Sequence, residues 1–272
     1  MSFAIRTRDL GVRFRLQHSG GSVQSGIVRF IKGRQKAKDF WALRHVDLEV
    51  PHGTILGVIG ANGSGKSTLL RVLSRILPPD EGAVEVDGKI SNLITLGAGF
   101  HQNLSGFENI FYNGILLGLS RDEIEAKIDE IVEFTELGDR IYTPVATYSS
   151  GMKARLGFSI AVHVDPEIIL VDEVIGVGDA QFRERSTAKM RQLFESGVTV
   201  VMVLHNMQTI VEMCHQALWL DAGHPQKLGE PTEVVNAYLD SRGLPPIEEM
   251  DEKQIRRLER QERRAARTQS FS

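Results

Sequence analysis

The stretch "GANGSGKS", residues 60–67, carries the most specific chemistry in the chain. It follows the strand-like run "TILGVI" and precedes the helix-like run "TLLRVL", which is the context that the pattern G-x-x-x-x-G-K-[ST] requires. Gly60, Gly63 and Gly65 allow the backbone to turn tightly and direct its N–H groups at phosphate oxygens, and the start of the next helix adds a favourable dipole. We therefore predict a phosphate-binding loop in which Lys66 reaches the β- and γ-phosphates and Ser67 ligates Mg²⁺.

The pattern around this loop predicts an α/β fold. The runs "AIRTRDLGVRFRLQ", "FWALRHVDLEV" and "AVEVDG" are strand-like, so the chain has a β-rich start. Residues from about 107 to 164 are mainly helical: one face carries Ile124, Ile128, Ile131 and Val132, with Gly138 as the expected C-terminal cap. Strand-like and helix-like runs then alternate from "EIILVDE" to "ALWLDAG", which predicts a parallel core sheet with a helical subdomain inserted at about residues 100–165.

Composition limits the class of protein. The chain has 272 residues, 42% of them hydrophobic, and a formal net charge of -3, so we expect a globular protein and no nucleic-acid partner. A single cysteine, Cys214, excludes an internal disulfide framework and fits a reducing compartment. The start "MSFAIRTRDL" lacks the apolar core of a signal peptide, and the longest apolar runs have the length of strands. We therefore expect the cytosolic side, with any membrane role acting through a partner.

Two later strand-like runs end in polar residues that suit the same site. "IILVDE" places Asp172 at the carboxyl edge of the sheet, where a second oxygen ligand for Mg²⁺ is needed. Glu173 follows and would orient or deprotonate the attacking water. His205 ends "VTVVMVLH" and would contact a γ-phosphate at the same edge. Each feature alone would more often be structural, but behind a phosphate loop we predict that they belong to one site.

A second Ser/Gly turn, "YSSGMKARLGFS" from Tyr148, also leads into a helix. The order "GANGSGKS", "YSSGMKARLGFS", "IILVDE", "GVGD" (residues 176–179) and "VLHN" resembles the nucleotide-binding subunit of ABC transporters over about residues 4–240. The resemblance implies a P-loop NTPase (ABC ATPase) core with an N-terminal antiparallel β subdomain, and a cassette spanning residues 1–240. It also implies that two chains dimerise head to tail, so that the turn of one chain closes over the nucleotide of the other. Read without the resemblance, the same turn is a plain N-cap.

The resemblance also assigns roles to individual positions. It implies hydrolysis of ATP with Mg²⁺, with Glu173 and His205 as catalytic residues, Ser149, Ser150 and Gly151 as the signature acting in trans, and Asp179 in the D-loop. Mg²⁺ would be held by Ser67 and Asp172, with Gln102 as a further candidate although its spacing departs from the family pattern. ATP would contact Gly60, Ala61, Asn62, Gly63, Ser64, Gly65, Lys66, Ser67, Thr68 and Phe14. The proposed adenine-stacking role of Phe14 competes with simple core packing, and Phe40 and Trp41 lie on a nearby segment.

Departures from the common family pattern narrow the resemblance. Tyr148, Ser150 and Met152 replace residues of the usual Leu-Ser-Gly-Gly-Gln signature, and Val174 replaces the usual Pro. Together with "DFWALRHV", "LGAGFHQNLSGFENI" and "GEPTEVVNAYL", these variants resemble exporters of O-antigen, teichoic acid and capsule-like polysaccharides. The implied function is the ATP-hydrolysing subunit for export of a lipid-linked polysaccharide across the cytoplasmic membrane. The alternative is the nucleotide-binding subunit of another ABC exporter or importer.

The resemblance further implies partners and a location. We expect a second copy of the chain, two copies of an integral membrane permease, a lipid-linked glycan delivered through that permease, and a peripheral position on the cytoplasmic face of the bacterial inner membrane. A basic amphipathic segment, residues 27–38, either meets a membrane surface or tucks onto the first sheet. We expect residues 241–272 to form a charged tail, as a solvated helix or a disordered segment.

Overall fold

The computed structural model describes residues 2–16, 38–93, 97, 99–172, 179–204, 206–251, 254, 255, 257, 258 and 260. Several expectations of the sequence analysis lie outside this set: Glu173, His205, residues 176–178 of "GVGD", residues 27–37 of the basic segment and residues 261–272 of the tail. Among the described residues, no helix is both long and apolar enough to cross a membrane.

An antiparallel sheet opens the chain. It contains strands β1 (Phe3–Leu16), β2 (Lys38–Pro51) and β4 (Glu81–Val86) in the order β2-β1-β4. Alternating apolar residues of β1 and β2, including Ile5, Leu10, Leu43 and Leu48, are buried, as expected for strands with one face on a core. The N-terminal antiparallel subdomain predicted from the sequence is thereby confirmed.

The second sheet is mainly parallel. Its strands are β3 (Ile55–Ile59), β5 (Ile90–Asn92), β6 (Ile168–Asp172), β7 (Thr199–Val203), β8 (Gln216–Asp221) and β9 (His224–Gly229). Their order is β5-β6-β7-β3-β8-β9, and only β9 pairs antiparallel. Strands β3 and β7 are buried at every position, as expected for strands covered on both faces. The predicted parallel core sheet is confirmed, and β7 lies between the strand before the phosphate loop and the strand that ends in Asp172.

Helices flank this sheet and form the inserted subdomain. The helices are α1 (Lys66–Leu73), α2 (Gly106–Leu116), α3 (Arg121–Thr135), α4 (Ser150–His163), α5 (Ala180–Glu195), α6 (Met207–Met213) and α7 (Pro231–Asp240). Helices α2 and α3 each begin with a capping box, Ser105 with Glu108 and Ser120 with Glu123, which satisfies backbone N–H groups of the first turn. Ile124 and Ile131 of α3 are buried in a cluster with residues of α2 and α4, so the predicted apolar face of α3 is confirmed.

Helix α4 belongs to two hydrophobic cores at once. Leu156 and Ile160 pack into the cluster formed with α2 and α3, whereas Phe158 and Val162 pack into the main core with β6, β7 and α5. Well-packed side chains transmit displacement. A movement of α4 would therefore affect both the helical subdomain and the sheet.

Two local expectations are wrong: the helical spacing of Leu69, Leu70, Leu73, Ile76 and Leu77 predicted that α1 extends to Leu77, and Gly138 was expected to cap α3. Helix α1 ends at Leu73, and Arg75 adopts a left-handed conformation (φ 59°), so Ile76 lies outside the helix and is 55% exposed. Helix α3 ends at Thr135, and its C-cap Glu136 has the left-handed conformation (φ 53°), two residues before Gly138, which instead begins a 3₁₀ turn. Spacing alone did not reveal these ends because the residue type at each cap is not the usual glycine.

The segment after Asp240 is less solvent-exposed than expected. The Ile247 N–H donates to Asn236 Oδ1 at 2.9 Å, and Asn236 Nδ2 donates to Glu248 Oε2 at 3.0 Å. Ile247 and Leu258 are buried in the main core. The expectation of a wholly solvated or disordered tail is therefore wrong for these residues.

Candidate nucleotide-binding site

The phosphate loop connects β3 to α1, and the backbone of Ala42 and Leu220 lies close to it. Gly60, Gly63 and Gly65 have φ angles of 145°, 77° and 103°, values that favour glycine. A Cβ atom at Gly65 would lie 2.5 Å from Ala42 O, and one at Gly60 would collide with Leu220 O. The loop conformation thus requires glycine at both positions, because of both the dihedral angle and the space.

Lys66 folds back over the loop that precedes it. Its Nζ donates to Gly60 O at 2.7 Å and Ala61 O at 3.0 Å, and the side chain is buried. Gly65 immediately precedes α1 and has no side chain that could cap it. The first-turn N–H groups and the Lys66 ammonium are the donors that a polyphosphate requires.

The residues present also fit Mg²⁺. Ser67 lies exposed in the first turn of α1, and Asp172 ends β6 half-buried. Helix α1 packs against β6 and β7, so hydroxyl and carboxylate oxygens, the ligand types that Mg²⁺ takes, come from adjacent elements. No protein-only cluster of His, Cys, Asp and Glu suited to a metal occurs among the described residues, and Mg²⁺ in nucleotide sites commonly takes few protein ligands besides phosphate.

The signature turn forms the start of α4. Ser149 Oγ accepts from the Met152 N–H at 3.2 Å as the N-cap, and Ser150 is the first helical residue. A Cβ atom at Gly151 would meet only Ser149 Oγ, at 3.9 Å, among the described residues. The N-terminus of α4 is thus capped but sterically open.

A pocket of about 510 Å³ opens beside this turn. Its described lining contains no residue of the phosphate loop and consists of Glu136, Leu137, Arg140, Ser149, Gly151, Met152, Arg155 and Asp179. The signature therefore faces a space to which the chain's own phosphate loop does not contribute.

Tyr148, which departs from the usual signature, is a structural anchor. Its ring is buried and its hydroxyl donates to Arg140 O at 2.7 Å. Burial raises the pKa of this hydroxyl. Tyr148 therefore holds the turn against the 3₁₀ segment that contains Arg140.

Asp179 begins α5 as its N-cap. Its Oδ1 accepts from the Phe182 N–H at 3.1 Å, and Oδ2 pairs with Arg155. The hydrogen bond from Phe182, with the Arg155 charge as a smaller contribution, lowers the pKa of this carboxyl group. Arg155 and its second partner, Glu136, were not singled out in the sequence, where no local pattern marks a pair nineteen residues apart.

Phe14 and Gln102 have environments that bear on their proposed roles. Phe14 pairs across the strands with Phe40, and both are exposed, by 39% and 48%, so Phe14 does not pack in the core. The Gln102 side chain donates to Phe100 O at 3.2 Å and accepts from Lys153 Nζ at 3.1 Å. Gln102 is thereby linked to α4, one turn from the signature.

Comparison with known proteins agrees with this geometry. The family described as "ABC transporter" matches residues 43–176. The chain is 43% identical over 247 residues to the O-antigen export system ATP-binding protein RfbB of Myxococcus xanthus, covering 89% of this chain and 56% of that protein. It is 42% identical over 234 residues to the teichoic acids export ATP-binding protein TagH of Lactococcus lactis subsp. lactis, covering 86% and 50%. The chain thus spans about half the length of these curated relatives.

Solved structures share the fold at lower identity. A dimeric, post-hydrolysis structure of the ATP-binding cassette MJ0796 bound to ADP and Pi has a TM-score of 0.64 at 20% identity, covering 84% of this chain and 98% of that one. The ATP-binding subunit of an ABC transporter has a TM-score of 0.67 at 18% identity, covering 89% and 94%. The fold, the motif order and the curated relatives agree, and the chain belongs to the ABC transporter family as an ATP-binding domain.

Proposed function

We propose that the chain is the ATP-binding and ATP-hydrolysing subunit of an ABC transporter that exports a lipid-linked polysaccharide. The observation that carries the ATPase proposal is the presence of two distinct helix starts, at α1 and α4, whose first-turn N–H groups suit a phosphate. The first has Lys66 beside glycine-lined backbone, whereas the second opens into a pocket without phosphate-loop residues. Such a division suits a site that two chains complete together.

In this mechanism two copies close head to tail around two ATP molecules. Ser149, Ser150 and the N–H groups near Gly151 bind the γ-phosphate held by Lys66 of the other copy. Moving a pair from mostly open to mostly closed needs about 5.5 kcal/mol of differential affinity, shared between two sites. Contacts made only in the closed pair supply it.

Hydrolysis would then reopen the pair. Glu173 activates the attacking water, and His205 contacts the γ-phosphate. Both residues follow strands that lie side by side, β6 and β7. Ser67 and Asp172 would hold Mg²⁺, which when bound would supply charge neutralisation on the phosphates. Loss of the γ-phosphate removes the contact to Ser149, which separates the copies.

The remaining assignments complete this proposal. Residues 1–240 form the cassette, with the helical subdomain at about 100–165, and residues 241–272 form a charged extension. Phe14 stacks on adenine, which its exposure permits, and Asp179 acts at the dimer interface. Two permease copies hold the pair at the cytoplasmic face of the inner membrane. Gln102 remains a candidate contact to Mg²⁺, although its bond with Lys153 places it toward α4.

The polysaccharide substrate is supported by the names of the relatives, which include an O-antigen and several teichoic acid export proteins. The signature variants Tyr148, Ser150 and Met152 support the same subgroup. The competing assignment is the nucleotide-binding subunit of another ABC exporter or importer, acting on a small molecule.

The ATPase proposal is tested with Glu173→Gln. The variant should bind ATP as the unchanged chain does but lose turnover, and it should accumulate as a dimer in ATP and not in ADP. Light scattering at matched protein concentration measures the dimer. A variant that stays monomeric in ATP would refute the closure mechanism.

The substrate is tested in vesicles containing the chain and its copurified permease. Translocation of a lipid-linked O-antigen or teichoic acid precursor should require ATP and should stop with Lys66→Ala. If these glycans neither stimulate ATP hydrolysis nor are transported during it, the small-molecule alternative would be favoured.

A further inference from the structure

A single buried asparagine organises the turn that leads into α2. Asn109 is fully buried, although it is a polar residue near the start of the helix. Its Nδ2 donates to the carbonyl oxygens of His101, Leu104 and Ser105 at 3.1, 3.2 and 2.8 Å, and its Oδ1 accepts from the His101 N–H at 2.9 Å. Since a side-chain amide has two N–H donors, the three carbonyls share them. Asn109 thereby fixes the backbone of residues 101–105.

Residues 101–105 also receive hydrogen bonds from the segment that precedes the signature turn. Leu104 O accepts from the Val145 N–H at 2.9 Å, and Gln102 O accepts from the Ala146 N–H at 2.9 Å. A carbonyl oxygen has two lone pairs, so Leu104 O serves both Asn109 and Val145. The side-chain amide of Asn109 and the backbone of Val145 are therefore joined through one atom.

The path from Val145 to the signature turn is short and closed. Val145 begins the 3₁₀ turn Val145–Thr147, and the Tyr148 N–H donates back to Val145 O at 3.0 Å. Val145 and Tyr148 are both buried. Ser149, the N-cap of α4, comes next. The position of Leu104 O therefore determines where the backbone reaches Ser149.

The start of α2 contacts the signature turn directly as well. The Gly106 N–H donates to Thr143 O at 3.3 Å. A Cβ atom at Gly106 would collide with the hydroxyl group of Tyr148, which donates to Arg140 O. Gly106 thus makes room for Tyr148, the residue that replaces the usual leucine of the signature. The first turn of α2 and the signature turn are packed as one unit.

On the basis of the proposed function, we propose that Asn109 is a positioning residue for closure of the ATP-bound dimer. By holding residues 101–105, it sets the position of Val145 and so of Ser149 and Gly151, which bind the γ-phosphate of the other copy. Asn109 is fully buried, so it acts through these residues and does not touch the nucleotide. A displacement of about 1 Å in groups that bind a reacting centre can cost on the order of 100-fold in rate.

Three variants of the full chain, each carrying Glu173→Gln, test this role. Asn109→Ala removes all four side-chain hydrogen bonds. Val145→Pro removes only the bond from Val145 to Leu104 O, because proline lacks the N–H and suits the first position of a helical turn. Pro144 is already extended (ψ 135°), as a residue before proline must be. The matched control, Asn113→Ala, removes a nearby amide of α2 whose Nδ2 donates to Asn109 O within the same helix.

Hydrogen exchange of backbone amides measures the positioning itself. In Asn109→Ala the amides of Val145 and Ala146 should exchange faster, on the order of 10-fold, because their acceptors are no longer held. In Asn113→Ala their exchange should be unchanged. The amides of Ile124 and Ile131 in α3 should keep their protection in both variants, which shows that the helical subdomain stays folded.

ATP-dependent dimerisation measures the consequence for closure. Asn109→Ala and Val145→Pro should each weaken dimerisation in ATP about 10-fold. The affinity of the separated chain for ATP should be unchanged, because the contacts of Lys66 remain. The double variant should lose much less than the product of the two single effects, since both act through Leu104 O. Asn113→Ala should dimerise as its Glu173→Gln parent does.

Dimerisation that is unchanged in Asn109→Ala and Val145→Pro, or equally weakened in Asn113→Ala, would overturn the positioning role. A parallel loss of ATP affinity in the separated chain would also overturn it. If Asn109→Ala unfolds the helical subdomain, Val145→Pro decides: normal dimerisation of that variant would overturn the role. A Glu173→Gln parent that stays monomeric in ATP would instead refute the proposed function.

Discussion

The helices α1 and α4 both begin with backbone N–H groups that need an acceptor, but different residues form the two helix starts. At α1, Gly65 in a left-handed conformation precedes the helix, and the backbone of Ala42 closes around it. At α4, Ser149 caps the helix with its hydroxyl group, and the space at Gly151 is open. The first start is enclosed by the backbone of the chain itself, whereas the second is held by its cap and by Tyr148 and stays open at Gly151.

Under the proposed mechanism, this difference lets one chain hold a nucleotide in its own phosphate loop and offer the start of α4 to the nucleotide of a second chain. A helix start enclosed by backbone has its binding geometry before a ligand arrives. Because less has to be ordered on binding, the free-energy cost of ligand binding is lower. The capped N-terminus of α4 keeps its helix dipole, but in the proposed mechanism the phosphate that it binds is held by a second chain. Identical substitutions at the two starts should therefore have different effects.

The largest contrast is expected between Gly65→Ala and Gly151→Ala. At Gly65 the new methyl group meets Ala42 O at 2.5 Å and the φ angle is 103°, so the free energy of unfolding should fall by about 2–4 kcal/mol and ATP binding should be lost. At Gly151 the methyl group has room, and stability should stay equal or rise by up to about 1 kcal/mol. Urea unfolding and nucleotide titration of both variants measure the contrast.

Gly151→Ala should still weaken ATP-dependent dimerisation, because the added methyl group occupies space offered to the other copy's phosphate. Equal destabilisation by the two substitutions would show that the two helix starts do not differ as described.

Ser149→Asp separates capping from phosphate binding. Asp caps a helix as well as Ser, so the free energy of unfolding should change by less than about 0.5 kcal/mol. Its carboxylate would face the incoming γ-phosphate, and ATP-dependent dimerisation in a Glu173→Gln background should fall at least about 10-fold, because like charges brought together cost several kcal/mol. Sedimentation in ATP measures this effect.

Ser149→Asn is the matched control for that experiment, since it retains the cap without the charge. It should keep most of the dimerisation. If Ser149→Asp dimerises as well as Ser149→Asn, the turn serves only as a cap.

The smallest effect is expected at Ser64, inside the phosphate loop. Its hydroxyl group is buried and has no hydrogen-bond partner among the described residues. Ser64→Ala should therefore leave the free energy of unfolding unchanged or raise it by up to about 1 kcal/mol, as read from thermal unfolding. A loss of more than about 1 kcal/mol would mean that this hydroxyl, like that of Ser149, stabilises the loop.

Features set by short stretches of sequence could be predicted. The glycine-rich loop between β3 and α1, the apolar face of α3 and the mainly parallel pairing of the second sheet all follow from local patterns. The capping boxes that begin α2 and α3, Ser105 with Glu108 and Ser120 with Glu123, also have a local signal, although the sequence analysis did not use it.

Features set by distant residues could not be predicted in the same way. Glu136 caps α3 in the left-handed conformation, although glycine, which stands at position 138, adopts that conformation more readily. Arg155 and Arg185 each donate a hydrogen bond to the Glu136 carboxylate. Ile247 and Leu258 looked like part of a charged tail because nothing nearby in sequence shows the core that covers them. Whether Glu173 and His205 act as proposed stays a prediction.

The most direct test of the shared site uses two variants that cannot form it alone. A tagged Lys66→Ala chain and an untagged Ser149→Asp chain, both carrying Glu173→Gln, are mixed in ATP, and the tagged chain is recovered. Each variant alone lacks any intact pair of half-sites, but the mixed dimer retains one, formed by Lys66 of one chain and Ser149 of the other. The account predicts that the untagged chain is recovered only from the mixture and only with ATP. Absence of the mixed dimer, under conditions where Glu173→Gln alone dimerises, would contradict it.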